Sequence, residues 1–157
     1  MNDANELAWL LEGAAKIAQQ AGDLIMEQYE EQAYATYEKS DASPVTSADL
    51  AAHRLITAKL NALTPDIPVL SEEGAHLSIE ERQQWPRYWL IDPIDGTKSF
   101  ISGLPLYGTL IAYLKEREVR VGAISMPELK EFWIGIDGDG CFFNGKRCSV
   151  SKCDQLD

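Results

Sequence analysis

The sequence predicts an α+β domain in which two long helices pack on an antiparallel sheet. Three observations carry this. Apolar residues recur at helical spacing from Leu7 to Ile25 and again from Ala52 to Leu63. Beyond Tyr107 the chain breaks into short β-rich runs. Turns of only a few residues join those runs, which makes them antiparallel neighbours.

The first helix is read from Leu7, Leu10, Leu11, Ala14, Ile17, Ala18, Ala21, Leu24 and Ile25, and it runs to about Tyr29. Gly13 and Gly22 either weaken it or mark close packing. Residues 38–45 read as loop. Thr46-Ser47-Ala48-Asp49 starts the second helix, with a capping hydroxyl and a carboxylate suited to the helix dipole. Ala52, Leu55, Ile56, Leu60 and Leu63 are its buried stripe, and Pro65 ends it. Residues 67–70 form a short strand that delivers Ser71-Glu72-Glu73-Gly74, and residues 78–84 a polar helical turn. Strands are expected at 88–91, 107–114, 119–126 and 131–136, and a hairpin turns at Asn144-Gly145.

The 157 residues suffice for one domain with a core of its own. A net charge of −11 argues against a nucleic-acid or anionic-membrane surface, both of which need clustered Lys and Arg. No apolar run approaches a membrane span. Met1 to Glu6 lacks the basic start of a signal peptide, so a cytoplasmic protein is expected. Cys141, Cys148 and Cys153 lie outside any Cys-x-x-Cys pattern and read as free thiols, not a zinc site. His53 and His76 have no metal-ligand spacing and read as satisfied surface or helix histidines. Asp137-Gly138-Asp139-Gly140 lacks the later ligands of a calcium loop and reads as a tight turn.

The chemistry concentrates in Trp89-Leu90-Ile91-Asp92-Pro93-Ile94-Asp95-Gly96-Thr97. A buried strand ends there in two carboxylates that repel each other. A hard divalent cation relieves that conflict, and Mg²⁺ takes oxygen ligands. Pro93 fixes φ between the carboxylates, Gly96 admits close backbone approach, and Thr97 opens a short helix. Taken singly, each piece has an ordinary alternative. Asp-Pro and Asp-Gly are common turn dipeptides, Asp49 suits a capping box, and paired glutamates at a strand end are commonly solvated.

The unbroken Asp92-Pro93-Ile94-Asp95-Gly96-Thr97 resembles the inositol monophosphatase superfamily of Mg²⁺-dependent, lithium-sensitive phosphatases. Lys39, residues 46–49, residues 71–74 and Asn144-Gly145-Lys146 match its first half in order. The resemblance implies the N-terminal half of an α/β/α/β/α layered sandwich. Residues 1–157 would be its metal-binding domain, without the C-terminal half. It implies Glu72, Asp92, Asp95 and the Ile94 carbonyl as metal ligands for two or three Mg²⁺, with Mn²⁺ as a substitute. Asp49 and Thr97 match the pair that activates the attacking water. Glu72, Gly96 and Thr97 meet the substrate phosphate, and Lys39 and Glu73 are accessory.

The implied reaction is phosphomonoester hydrolysis by direct attack of a metal-activated water. Residues 97–112 look most like the histidinol-phosphate phosphatases, which makes histidinol phosphate, and thus histidine biosynthesis, the first expectation. Residues 43–46 and 65–73 also resemble the bisphosphate nucleotidases, the second; inositol phosphates are the third. Members of the superfamily are considerably longer. A catalytically silent metal- or phosphate-binding fragment is therefore the alternative of another class, and a homodimer or other homo-oligomer is expected from the surface left bare.

Overall fold

A computed structural model describes residues 3–75 and 77–152. His76 and Cys153 lie outside the described residues. Helix α1 (Asp3–Glu30) buries Leu7, Leu10, Ala14, Ile17, Ala18, Ala21 and Ile25, the stripe its periodicity predicts. Strands β1 (Thr36–Glu38) and β2 (Pro44–Thr46) pair antiparallel, so the expected loop at 38–45 is a small hairpin arm. Strands of three residues carry no periodicity, which hid them.

Helix α2 (Ser47–Leu63) starts on a complete capping box and ends at Thr64, just before Pro65. Strand β3 (Val69–Ser71) and the five-residue helix α3 (Ile79–Gln83) follow. The remaining elements are β4 (Arg87–Asp95), α4 (Thr97–Ile101), β5 (Gly108–Lys115), β6 (Glu118–Met126), β7 (Glu131–Ile136), β8 (Gly140–Phe143) and β9 (Lys146–Cys148). Strands β3 to β9 form one seven-stranded sheet in chain order. All its pairs are antiparallel except β3–β4. The sheet is thus mixed, not purely antiparallel, because the segment carrying α3 returns the chain in the direction it came.

Helices α1 and α2 cover one face of the sheet. Trp89, Ile91, Ile111, Tyr113, Val121 and Ala123 alternate onto that face and pack with Leu10, Ile17, Ile56 and Leu60. Each such large side chain contributes about 1.5–3 kcal/mol when fully buried. The buried Trp89 indole N–H donates to Thr64 Oγ1 at 2.9 Å, so its polar atom is satisfied. Gly22 marks close packing: a Cβ there would sit 3.0 Å from Ser125 Oγ. The opposite face carries Leu70, Leu90, Ala112, Gly122, Gly135 and Cys141 in one row of paired positions. Helices α1 and α2 do not cover it; Ala75, Leu77 and Arg82 border it at its β3–β5 end, and Leu90 and Ile124 are exposed there.

Asp137 and Asp139 sit in a turn with positive φ at Gly138 and Gly140, and pair with Arg120 and Arg147, as a tight turn requires. Cys141 and Cys148 are free and lie opposite each other on β8 and β9. Among the described residues no helix is long and apolar enough to cross a membrane.

Candidate functional site

The site gathers where the N-terminus of α2, the end of β3 and the end of β4 meet. Asp49 is 1% exposed. Its Oδ2 accepts from the Thr46 amide at 2.8 Å and from the Thr46 hydroxyl, which closes the capping box. Its Oδ1 accepts from Thr97 Oγ1 at 3.1 Å. Capping and a site role were alternatives in the sequence; one oxygen of the carboxylate meets the cap and the other meets Thr97.

Strand β4 does not stop before the carboxylates. It continues through Asp92-Pro93-Ile94-Asp95 with a register shift against β5 between Asp92 and Asp95. The turn that the dipeptides suggest is therefore a bulged strand end. Thr109 Oγ1 stabilises it by donating to the Pro93 carbonyl at 2.8 Å, with Thr109 fully buried. The Ile94 side chain anchors below in a cluster with Ile25, Ala48, Ala52, Phe100 and Tyr107. Its carbonyl lies 3.1 Å from Thr97 Oγ1.

Gly96 has φ +90°, and a Cβ there would lie 2.6 Å from the Leu106 carbonyl oxygen. Only glycine fits, for conformation and for space. Helix α4 then begins at Thr97 with no side-chain cap.

Glu72 and Glu73 stand in the turn after β3. Lys39 Nζ bridges them, 3.0 Å from Glu72 Oε1 and 2.6 Å from Glu73 Oε1. Burial pulls the Lys39 ammonium down, but its bonds to Glu73 and Glu72 outweigh that and hold it above its ordinary value. The Glu72 side chain is 54% exposed and that of Glu73 only 7%. The solvated pair expected from composition is thus half right. Glu73 is tucked under Lys39, and Glu72 faces outward.

Asp92 carries the largest perturbation of the site. Burial first, then Glu72 within hydrogen-bond reach, then Asp95 and Asp49, push its carboxyl up to about 7. Two like charges about 4 Å apart repel by roughly 4 kcal/mol at the dielectric of a protein surface. A divalent cation removes that repulsion, and the donors here are all oxygen, so the residues fit a hard metal ion. Among the described residues no three such side chains are drawn into a finished ligand cage. Asp95 is exposed at the strand end.

Beside Glu72 and Asp92 opens a cleft of about 500 Å³ over the uncovered sheet face, walled by Leu70, Leu77, Leu90 and Leu110, with Arg82 at its edge. Motif reading overlooked Arg82, Thr109 and the bond between His53 Nδ1 and Ser71 Oγ at 2.8 Å. For His53 the sequence held a signal: it follows Asp49 by four residues and shares its helix face.

A mixed sheet covered by helices on one face thus brings Asp49, Glu72 and Asp92 to one edge. The model of the inositol monophosphatase family matches residues 6–157, and the chain belongs to that family. It is 44% identical over 144 residues to the 3′(2′),5′-bisphosphate nucleotidase CysQ of Salmonella typhimurium, covering 91% of this chain and 57% of that protein. It is 39% identical to a histidinol-phosphatase of Chlorobaculum parvum, covering 90% of this chain and 53% of that one. The solved IMPase of Thermotoga maritima superposes with a TM-score of 0.80 at 33% identity, over 90% of this chain and 54% of that structure. The chain therefore spans about half the length of the relatives it matches.

Proposed function

We propose that this chain carries the water-orienting and metal-binding side of a phosphomonoesterase that acts on 3′(2′),5′-bisphosphate nucleotides. The single observation behind it is the Thr97–Asp49 hydrogen bond set beside the perturbed Asp92. Glu72, Asp92, Asp95 and the Ile94 carbonyl would hold Mg²⁺, which when bound neutralises charge on the phosphoryl group and on the leaving oxygen.

The chain's own groups do the rest. Asp49 is fixed by Thr46 and takes the Thr97 hydroxyl proton in a hydrogen bond, which turns the Thr97 lone pairs outward. An attacking water donates to that oxygen and is aimed at phosphorus. The amides opening α4 receive the phosphate oxygens. Cys141 and Cys148 lie on β8 and β9, apart from this cluster, and the proposed nucleophile is that water.

The cleft argues for the bisphosphate. Arg82 offers a cation to a second phosphate, and it would oppose the ammonium group of histidinol phosphate. A second reading, histidinol phosphate, is favoured by residues 97–112 and by the Chlorobaculum parvum relative. Phosphate release from adenosine 3′,5′-bisphosphate, histidinol phosphate and inositol 1-phosphate, with Mg²⁺ and with chelator, ranks the substrates. Preference for histidinol phosphate, undiminished by Arg82→Ala, sinks the bisphosphate assignment. Release from none, together with Mg²⁺ binding at Asp92, favours the silent binding fragment. The bare sheet face belongs to the same proposal as a self-association surface, which size-exclusion chromatography tests.

A further inference from the structure

Asp49 and His53 are four residues apart on α2 and point to the same side. Asp49 reaches Thr97. His53 reaches the other side of the site, its Nδ1 2.8 Å from Ser71 Oγ. That hydroxyl also accepts from the Glu73 amide at 3.3 Å, and the Ser71 carbonyl accepts from the Gly74 amide at 3.1 Å. The Glu72 amide donates to the Ile91 carbonyl at 3.2 Å. The backbone of the turn that presents Glu72 is therefore tied through Ser71 and β4, while its two carboxylates are tied through Lys39.

A serine hydroxyl rotates freely and by itself fixes nothing. The imidazole it meets is rigid and grows from a helix whose Ala52 and Ile56 are wholly buried. Either tautomer of His53 leaves the hydroxyl a lone pair for the Glu73 amide, so both contacts hold together.

We infer that His53 is a positioning residue: acting through Ser71, it fixes the turn that presents Glu72 to Asp92. One face of α2 then sets both the water-orienting pair and the distance between the two carboxylates meant for a cation. The functional part of this role rests on the proposed metal site, and the structural part on the hydrogen bonds of the Ser71 hydroxyl. Partners one step removed from a metal ligand commonly matter by about 10–100-fold in affinity.

The test uses the 157-residue chain and Mn²⁺ alone as probe. Calorimetry should show His53→Ala weakening Mn²⁺ binding by about ten-fold or more. His53→Asn, which keeps a hydrogen-bonding atom near the Nδ1 position, should recover most of it. Ser71→Ala removes the same link and also the acceptor of the Glu73 amide, so combined with His53→Ala it should give less than the sum of the two single effects. Hydrogen exchange on the metal-free chain should show the Glu73 amide less protected in His53→Ala, with α2 amides unchanged. Unchanged Mn²⁺ affinity, no recovery by Asn, or full additivity with Ser71→Ala overturns the inference. Should His53→Ala fail to fold, Ser71→Ala breaks the link from its other end and is read the same way. A wild-type chain that binds no Mn²⁺ overturns the proposed function instead, and the exchange measurement then decides the role of His53 by itself.

Discussion

Asp49 is almost wholly buried, and donors from Thr46 and Thr97 hold both its oxygens. Glu72 leaves about half its side chain in solvent and is held by the ammonium of one lysine. Asp92 lies between them, half buried and pressed by both carboxylates. On the first side both oxygens of the carboxyl have neutral donors within the fold. The second side has excess negative charge and settles only with a counter-charge. A proton on Asp92, the Lys39 ammonium and a metal cation all answer the same need. One side is satisfied within the fold, and the other, in the proposed reading, takes a cation.

Removing Thr97's hydroxyl should show the sharpest consequence. In an intact enzyme of the family that contains this half, Thr97→Ala is expected to lower kcat by about two to four decades with KM little changed, since in the proposed mechanism the loss falls on the oriented water. Steady-state kinetics with saturating Mg²⁺ checks this, and a normal kcat removes Thr97 from the mechanism. Asp92→Asn should reduce Mg²⁺ and Mn²⁺ binding in calorimetry by at least about 10–100-fold. Equal heats in mutant and wild type would show that the charged side of the site is not a metal site.

The third test is pH. The folded Asp92 holds its proton up to about 7, above the ordinary carboxylate value, so the folded chain binds more protons than the unfolded one. Its contribution to stability is complete below about pH 4 and disappears as pH rises to about 7. The metal-free chain should therefore lose part of its stability across that window, and Asp92→Asn should flatten the loss. Mg²⁺ affinity should run the opposite way and weaken below pH 7. Thermal melts at graded pH decide both. The smallest effect belongs to the satisfied side: Thr46→Ala should cost about 1 kcal/mol through the lost cap, a few degrees in Tm, and Thr46→Ser should cost less.

Much of this was legible in the amino-acid order. The stripes of α1 and α2 survive because a helix keeps its period regardless of what packs on it. The mutual repulsion of the carboxylates in Asp92 to Asp95 was legible too, but the geometry of the stretch was not. The stretch was read as a strand that breaks, whereas β4 runs on to Asp95 because Thr109, sixteen residues later, satisfies the Pro93 carbonyl. Asp49's double use was hidden because sequence names a residue and not its two oxygens. The parallel β3–β4 pair was missed because the intervening segment showed only one polar turn of helix. Lys39 was ranked as accessory, and its bridge across Glu72 and Glu73 needs the β1–β2 arm, which has no periodic signal.

Strand order equal to chain order has a consequence for biosynthesis. As the polypeptide leaves a ribosome, each strand from β4 onward finds its neighbour already made, at the modest entropic cost of a short connection. Helix α1 is in the reverse position. It is made first, yet it lies across β5, β6 and β7, and that bed is finished only when residue 136 has emerged. Until then its apolar stripe has only α2 to lie against, which makes the half-made chain a natural client for a holding chaperone.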